Sequence, residues 1–182
     1  MTLDRDVIPL IAAAQRGDSE ATRRLVLAWQ PRVRNLVRYL VRGDDQVDDL
    51  SQQALLTALE KLPAYRGEGR IEAWLDGIVL RVTLRSMRRF RLLRSREVEH
   101  VDDTYRGENS DDFRYQDRRK LVAALDQVPE KQRSVLVMHH VIGMSLPEIA
   151  VVEQIPEETA RSRLRNGMAQ LRASFRLTSE ET

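Results

Sequence analysis

The residues of this 182-residue chain best placed to do chemistry are its arginines, and their spacing suits anion recognition rather than bond making. Arg161, Arg165, Arg172 and Arg176 recur at helical intervals, and no acid occurs between Ala160 and Phe175. A second run, Arg81, Arg85, Arg88, Arg89, Arg91, Arg94 and Arg96, likewise contains no acid. A guanidinium is a planar fork that fits phosphate or a guanine edge bidentately. A run of one sign repels itself unless an anion faces it, and a DNA backbone supplies that anion through phosphate contacts and counterion release. A membrane surface is the rival partner, but the run lacks a large apolar face opposite the charge. Only Lys61, Lys120 and Lys131 are lysine. The preference for arginine reads either as a fork suited to phosphate and guanine or, taken alone, as a genome biased toward arginine codons, so placement carries more than number. Other chemistry is poorly supplied. There is no Cys, and His100, His139 and His140 have no carboxylate at ligand spacing. Disulfides, a zinc site and any other metal or cofactor are therefore not expected.

These residues need elements to position them. Hydrophobic residues make up 42% and charged residues 32%, while aromatics at 5% and eight glycines argue against a sandwich or barrel, so the fold class is all-α. The length suits two small helical domains. No stretch is long and apolar enough to span a bilayer, and the N-terminus has no basic-then-apolar leader, so a cytoplasmic protein without membrane insertion is expected. Helices are expected over residues 3–16, from Asp18 or Ser19 to about Val41 with a kink or break at Pro31, from about Gln46 to Leu62, and from Arg70 to about Leu93. Residues 97–117 hold eight acids against Arg106 and Arg114, with Gly107, Asn109 and Ser110 as breakers. They read as an acidic flexible linker. The domains are thus 1–94, a linker 95–117, and 118–177. In the second, Pro129-Glu130 opens a helix ending at Gly143. Ser145 with Glu148 forms a capping box for a short helix to Glu153, and after a turn at Gln154–Pro156 a long helix runs to about Arg176.

On that last helix Ala160, Leu164, Met168, Leu171 and Phe175 share one narrow apolar sector, with the arginines beside it. A short capped helix, a tight turn and a basic helix form the helix-turn-helix layout, whose second helix enters the major groove. On the fourth helix Ile71, Leu75, Ile78, Val79 and Val82 face the core, and Trp74, Arg81, Arg85 and Arg88 share the adjoining sector. Before it, Tyr65 and Arg66 beside Gly67 and Gly69 suit stacking on an unpaired base, or simple packing against the helix end. On the third helix Val47, Leu50, Ala54, Ala58 and Leu62 make the core stripe, and Leu56 points nearly opposite, among Asp49, Gln52, Gln53 and Glu60. That leucine is either a protein-docking point or one of the scattered leucines common on surfaces.

Several segments, in order, resemble the bacterial sigma-70 family, specifically its small extracytoplasmic-function (ECF) group, which keeps only regions 2 and 4. Asp48-Asp49-Leu50-Ser51-Gln52-Gln53 is similar to the family's D-L-x-Q-E segment. Tyr65-Arg66-Gly67-Glu68 followed by Ala73-Trp74-Leu75 is similar to F-R-G-E and T-W-L. Ser145 to Arg165 is similar to S-Y-E-E-I-A and P-x-G-T-V-K-S-R-L. The resemblance implies a transcription initiation factor that binds core RNA polymerase, directs it to promoters and helps open the DNA, and is not itself an enzyme. It implies docking on the β′ clamp helices through Asp48, Asp49, Gln53 and Leu56, and a further contact with the β flap. Minus-10 recognition and melting would fall to Tyr65, Arg66, Trp74, Arg81, Arg85, Arg88 and Arg89. Minus-35 bases would be faced by Arg161, Ser162 and Arg165, with Thr159, Arg163 and Arg172 nearer phosphates. An anti-sigma factor as partner and a monomeric free state are implied too. The alternative is a stand-alone helix-turn-helix regulator that binds duplex DNA without polymerase. Two departures stand out: Gln154 replaces the usual turn glycine, and Glu157 and Glu158 open the recognition helix.

Overall fold

The structure is a computed structural model, and it describes residues 4–94 and 113–180. Among these residues every regular element is helical. The helices are α1 (Asp4–Gln15), α2 (Ser19–Leu40), α3 (Val47–Lys61), α4 (Ile71–Arg94), α5 (Phe113–Asp126), α6 (Glu130–Val137), α7 (Leu146–Glu153) and α8 (Glu157–Glu180). A 3₁₀ turn at Leu62–Ala64 follows α3, and a π-helical turn at Met138–Ile142 follows α6. They form two compact units, residues 4–37 with 45–94, and 113–180 with 38–44, the end of α2 and the bend after it. That stretch therefore groups with the second unit, although the sequence places it inside the first domain. The body of the acidic linker, 95–112, lies outside the described residues. Its expected last residues, 113–117, instead begin α5.

In the first unit Asp18 caps α2, its Oδ1 accepting from the amides of Glu20 (2.9 Å) and Ala21 (3.0 Å). These are the orphan donors a helix N-terminus leaves. The helix continues through Pro31 without interruption. Leu25, Trp29, Val33 and Val37 recur every fourth residue and are fully buried. Each such side chain contributes roughly 1.5–3 kcal/mol by leaving water. The α3 stripe is buried as expected, and its two alanines, Ala54 and Ala58, let α4 pack closely. On α4 Ile71, Leu75, Ile78 and Val79 are buried, while Val82 is half-buried. Arg32 of α2 reaches Asp76 of α4 with both arms, at 2.7 and 2.5 Å. A buried carboxylate needs such a partner.

The second unit packs α5, α6 and α7 against α8. Its core holds Leu125, Val128, Val135, Leu136, Met138, Ile149 and Ala160. Arg133 is also buried, 3.1 Å from Asp126. Burial pulls its guanidinium down to about 10, against the opposing attraction of Asp126. The π turn widens the end of the α6 segment. It closes where Gly143, at φ 84°, lets the Met144 amide reach the Met138 carbonyl at 2.9 Å. His139 Nδ1 lies 2.9 Å from the Met144 carbonyl.

Candidate nucleic-acid interface

Most of α4 is enclosed, which leaves one open sector carrying Trp74, Arg81, Arg85, Arg88 and Arg89. Arg81, Arg85 and Arg89 are exposed; Arg88 and Trp74 are half-buried. Three of the arginines face α3 across a groove of about 540 Å³, whose opposite wall is Gln53, Thr57 and Lys61. No acid lines it. Elsewhere in this unit Arg23, Arg32 and Arg34 are held by Glu20, Asp76 and Asp48. Lys61, Arg81, Arg85 and Arg89 have no carboxylate partner among the described residues. Four like charges around one groove raise its potential and favour an anion there. Lys61 and Thr57 escape a reading that follows the arginines alone. Their signal was the i, i+4 series Gln53, Thr57, Lys61 on one flank of α3.

The loop before α4 is held from two sides. Gln15 Nε2 donates to the carbonyls of Leu62 and Tyr65, both at 2.9 Å, tying α1 to the 3₁₀ turn. The Tyr65 ring packs on Trp74 at 5.2 Å between centroids, and Trp74 on Trp29 at 6.3 Å. The Tyr65 hydroxyl donates to the Gly69 carbonyl at 3.2 Å. Gly67 and Gly69 take φ values of +76° and +79°, which side chains disfavour. Tyr65 therefore packs against the start of α4 while remaining half-exposed beside the exposed Arg66. Both expectations for this residue are compatible with that placement.

The four α3 residues expected to form a docking patch face three ways. Asp48 pairs with Arg34 of α2, and Gln53 lines the basic groove. Asp49 and Leu56 stay on the outer ridge with Gln52 and Glu60, and Leu56 is 54% exposed. The ridge is an apolar side chain in an acidic and amide surround.

In the second unit Ser145 N–H and Oγ both reach Glu148 Oε2, at 2.8 and 2.6 Å. These contacts with the anion hold the Glu148 carboxyl below its ordinary value. Gln154 takes the left-handed turn, φ 57° and ψ 49°, which lets the Ile155 amide reach the Ala150 carbonyl at 3.0 Å. On α8 Ala160 is buried, and Leu164, Met168, Leu171 and Phe175 are half-buried. Arg165 and Arg172 are exposed, with no acid partner among the described residues. Arg161 donates to Glu157 at 2.7 Å, and Arg163 is half-buried, 3.6 Å from Glu153 of α7. Thr159 and Ser162 are half-buried beside them, and Ser162 Oγ donates to the Thr159 carbonyl at 3.0 Å. A capped α7, a left-handed turn and a basic α8 make a helix-turn-helix.

The profile of Sigma-70 region 2 matches residues 25–92, and that of Sigma-70, region 4 matches residues 118–171, together about two thirds of the chain. The chain belongs to the sigma-70 family. It is a promoter-directing RNA polymerase sigma factor, and the reading as a stand-alone regulator is set aside, since both family regions are present. Similar curated proteins are named as RNA polymerase sigma factors, some of them with the ECF label. The RNA polymerase sigma-H factor of Pseudomonas aeruginosa is 27% identical over 170 residues, spanning 85% of this sigma factor and 86% of that one. The ECF RNA polymerase sigma-E factor of Escherichia coli K12 is 27% identical over 171 residues, with the same coverage. The fold is shared with CnrH, solved in complex with the cytosolic domain of CnrY, at TM-score 0.57 and 23% identity, covering 98% of this chain and 100% of that one. It is shared also with the sigma factor RpoE of Bartonella quintana, solved in complex with the anti-sigma factor NepR, at TM-score 0.59 and 20% identity, covering 85% and 96%. Among the described residues no helix of this sigma factor is long and apolar enough to cross a membrane.

Proposed function

We propose that the two units divide promoter recognition between them, and that the factor supplies binding free energy and specificity while the polymerase performs all catalysis. Residues 1–94 hold core polymerase and the minus-10 element, and residues 118–177 hold the minus-35 element. The observation that supports this most is the distribution of unpaired cations. Lys61, Arg81, Arg85 and Arg89 gather at one groove, and Arg165 and Arg172 lie on the exposed side of α8. Minus-10 DNA follows the α4 sector, with Arg81, Arg85, Arg88 and Arg89 on the strand and Tyr65, Arg66 and Trp74 near unpaired bases. Minus-35 DNA receives α8 in its major groove, with Arg161, Ser162 and Arg165 toward bases and Thr159, Arg163 and Arg172 toward the backbone.

The outer ridge of α3, Asp49 and Leu56, is the docking point for the β′ clamp helices, with Asp48 and Gln53 at its flanks. The second unit contacts the β flap. Exposed leucine amid acids suits a partner that offers an apolar pocket with a basic rim. A cytoplasmic site of action follows from that partner, and the free factor is a monomer. The complex of RpoE with the anti-sigma factor NepR supports an anti-sigma partner here as well.

The test is transcription in vitro with purified core polymerase on the gene's own upstream DNA. Initiation that depends on the factor is expected. Absence of both initiation and core binding would overturn the reading. Leu56→Arg should weaken core binding while leaving helical circular dichroism unchanged, and wild-type affinity for core would remove the docking assignment.

A further inference from the structure

We infer that Glu157 is a positioning residue for Arg161, converting it from a phosphate-seeking cation into a reader of guanine. The inference rests on the reading of α8 as the helix that contacts bases. Glu157 and Arg161 are one helical turn apart, which brings their side chains together on one side of α8. Glu157 Oε1 accepts from Arg161 Nη2 at 2.7 Å, and Glu158 Oε2 stands 3.7 Å from Arg161 Nε. Glu157 thus takes one of the two Nη2 hydrogens, and Glu158 stands nearest Nε, beyond hydrogen-bond reach. Nη1, which contacts neither carboxylate, and the second Nη2 hydrogen are left as donors for the O6 and N7 acceptors of guanine in the major groove.

Two consequences follow from that geometry. An exposed arginine otherwise samples many rotamers, and a carboxylate bound to one edge fixes the plane of the fork before DNA arrives. The pair carries no net charge, so its attraction to backbone phosphates is reduced and base geometry counts for more. The two arginines further along the exposed side, Arg165 and Arg172, have no such partner among the described residues and keep their full charge. Glu158, 79% exposed in its side chain, lies 3.7 Å from the guanidinium without a hydrogen bond to it, and so offers an equal charge on the same turn that does not bind the fork.

The experiment measures binding of holoenzyme, assembled from core polymerase and the full chain, to promoter DNA randomised through the minus-35 element. Arg161→Ala identifies the base pair that Arg161 reads, with an expected loss of discrimination of about fivefold or more there. Glu157→Ala should flatten preference at that same pair. The double variant should be no worse than Arg161→Ala alone, Glu157→Gln should retain part of the preference, and Glu158→Ala should leave that pair unchanged. Circular dichroism of each variant checks that α8 is intact. If Glu157→Ala raises affinity by one factor for every sequence and leaves preference at that pair untouched, the carboxylate only repels the backbone and the inference is wrong. If Arg161→Ala alters no preference at any position, the reading of α8 falls, and the inference with it.

Discussion

At the scale of single residues, Gly167 and Gln154 show how the second unit trades local preference for position. Alanine is a better helix former than glycine by about 1 kcal/mol. A Cβ at Gly167, however, would lie 3.0 and 3.1 Å from Leu136 Cδ1 and Cγ, and 3.3 Å from Gln132 Cβ. Leu136 is buried, so it can give way only by displacing its own neighbours, and overpacking of this kind costs about 1–3 kcal/mol. Gly167→Ala should therefore destabilise the protein by about 1 kcal/mol in urea unfolding followed by circular dichroism. Gly77 on α4 is the counter-case, since its Cβ would meet only the Arg81 Nη2 tip, at 3.9 Å. Gly77→Ala should stabilise by up to about 1 kcal/mol in the same assay. Gln154 carries the opposite imbalance: it occupies a left-handed conformation that costs a side chain about 1–2 kcal/mol, partly offset by the freedom a glycine would lose on folding. Gln154→Gly should raise stability by about 0.5–1 kcal/mol, and an unchanged urea midpoint would count against strain at this turn.

At the scale of elements, the capping box that starts α7 makes the second unit sensitive to acid. The folded-state pKa of Glu148 is depressed below 4.5 by its bonds from Ser145. Its contribution is therefore complete above pH 4.5 and disappears as pH falls through the depressed value. The gap in urea midpoint between wild type and Glu148→Gln should be widest above pH 4.5 and close on further acidification. A gap that does not vary with pH would show that the carboxylate charge adds nothing to the box. This helix start was legible because a Ser and a Glu three residues apart carry their own local chemistry, as were the α3 stripe and the exposure of Leu56, which follow from helical periodicity. What was not legible depends on neighbours distant in sequence. Nothing local in Met138–Ile142 distinguishes a π turn from a plain helix end. Nothing near Asp76 announces Arg32, and Pro31 reads locally as a breaker although α2 runs through it. The direction of Gln53, into a groove with Lys61 instead of onto the outer ridge with Leu56, was set by where α4 packs.

At the scale of the whole molecule, 30 basic residues against 28 acidic give a formal charge of +2, a sum that conceals how the charges are arranged. Acids neutralise arginines where the chain holds itself together, at Arg32–Asp76 and Arg34–Asp48, and are missing where the α3–α4 groove opens. A binding surface of this kind should declare itself through salt, because each phosphate contact releases counterion and adds about 0.9 to the slope of log affinity against log salt on duplex DNA. Arg85→Ala in assembled holoenzyme should lower that slope by about one contact, weakening all promoters nearly alike. Lys61→Ala should do the same if the whole groove, and not the α4 wall alone, follows the backbone. Arg32→Ala should leave the slope unchanged, since its guanidinium is committed to Asp76 and its loss is one of stability. A slope that drops as far for Arg32→Ala as for Arg85→Ala would mean that the unpaired cations have no special share in DNA binding.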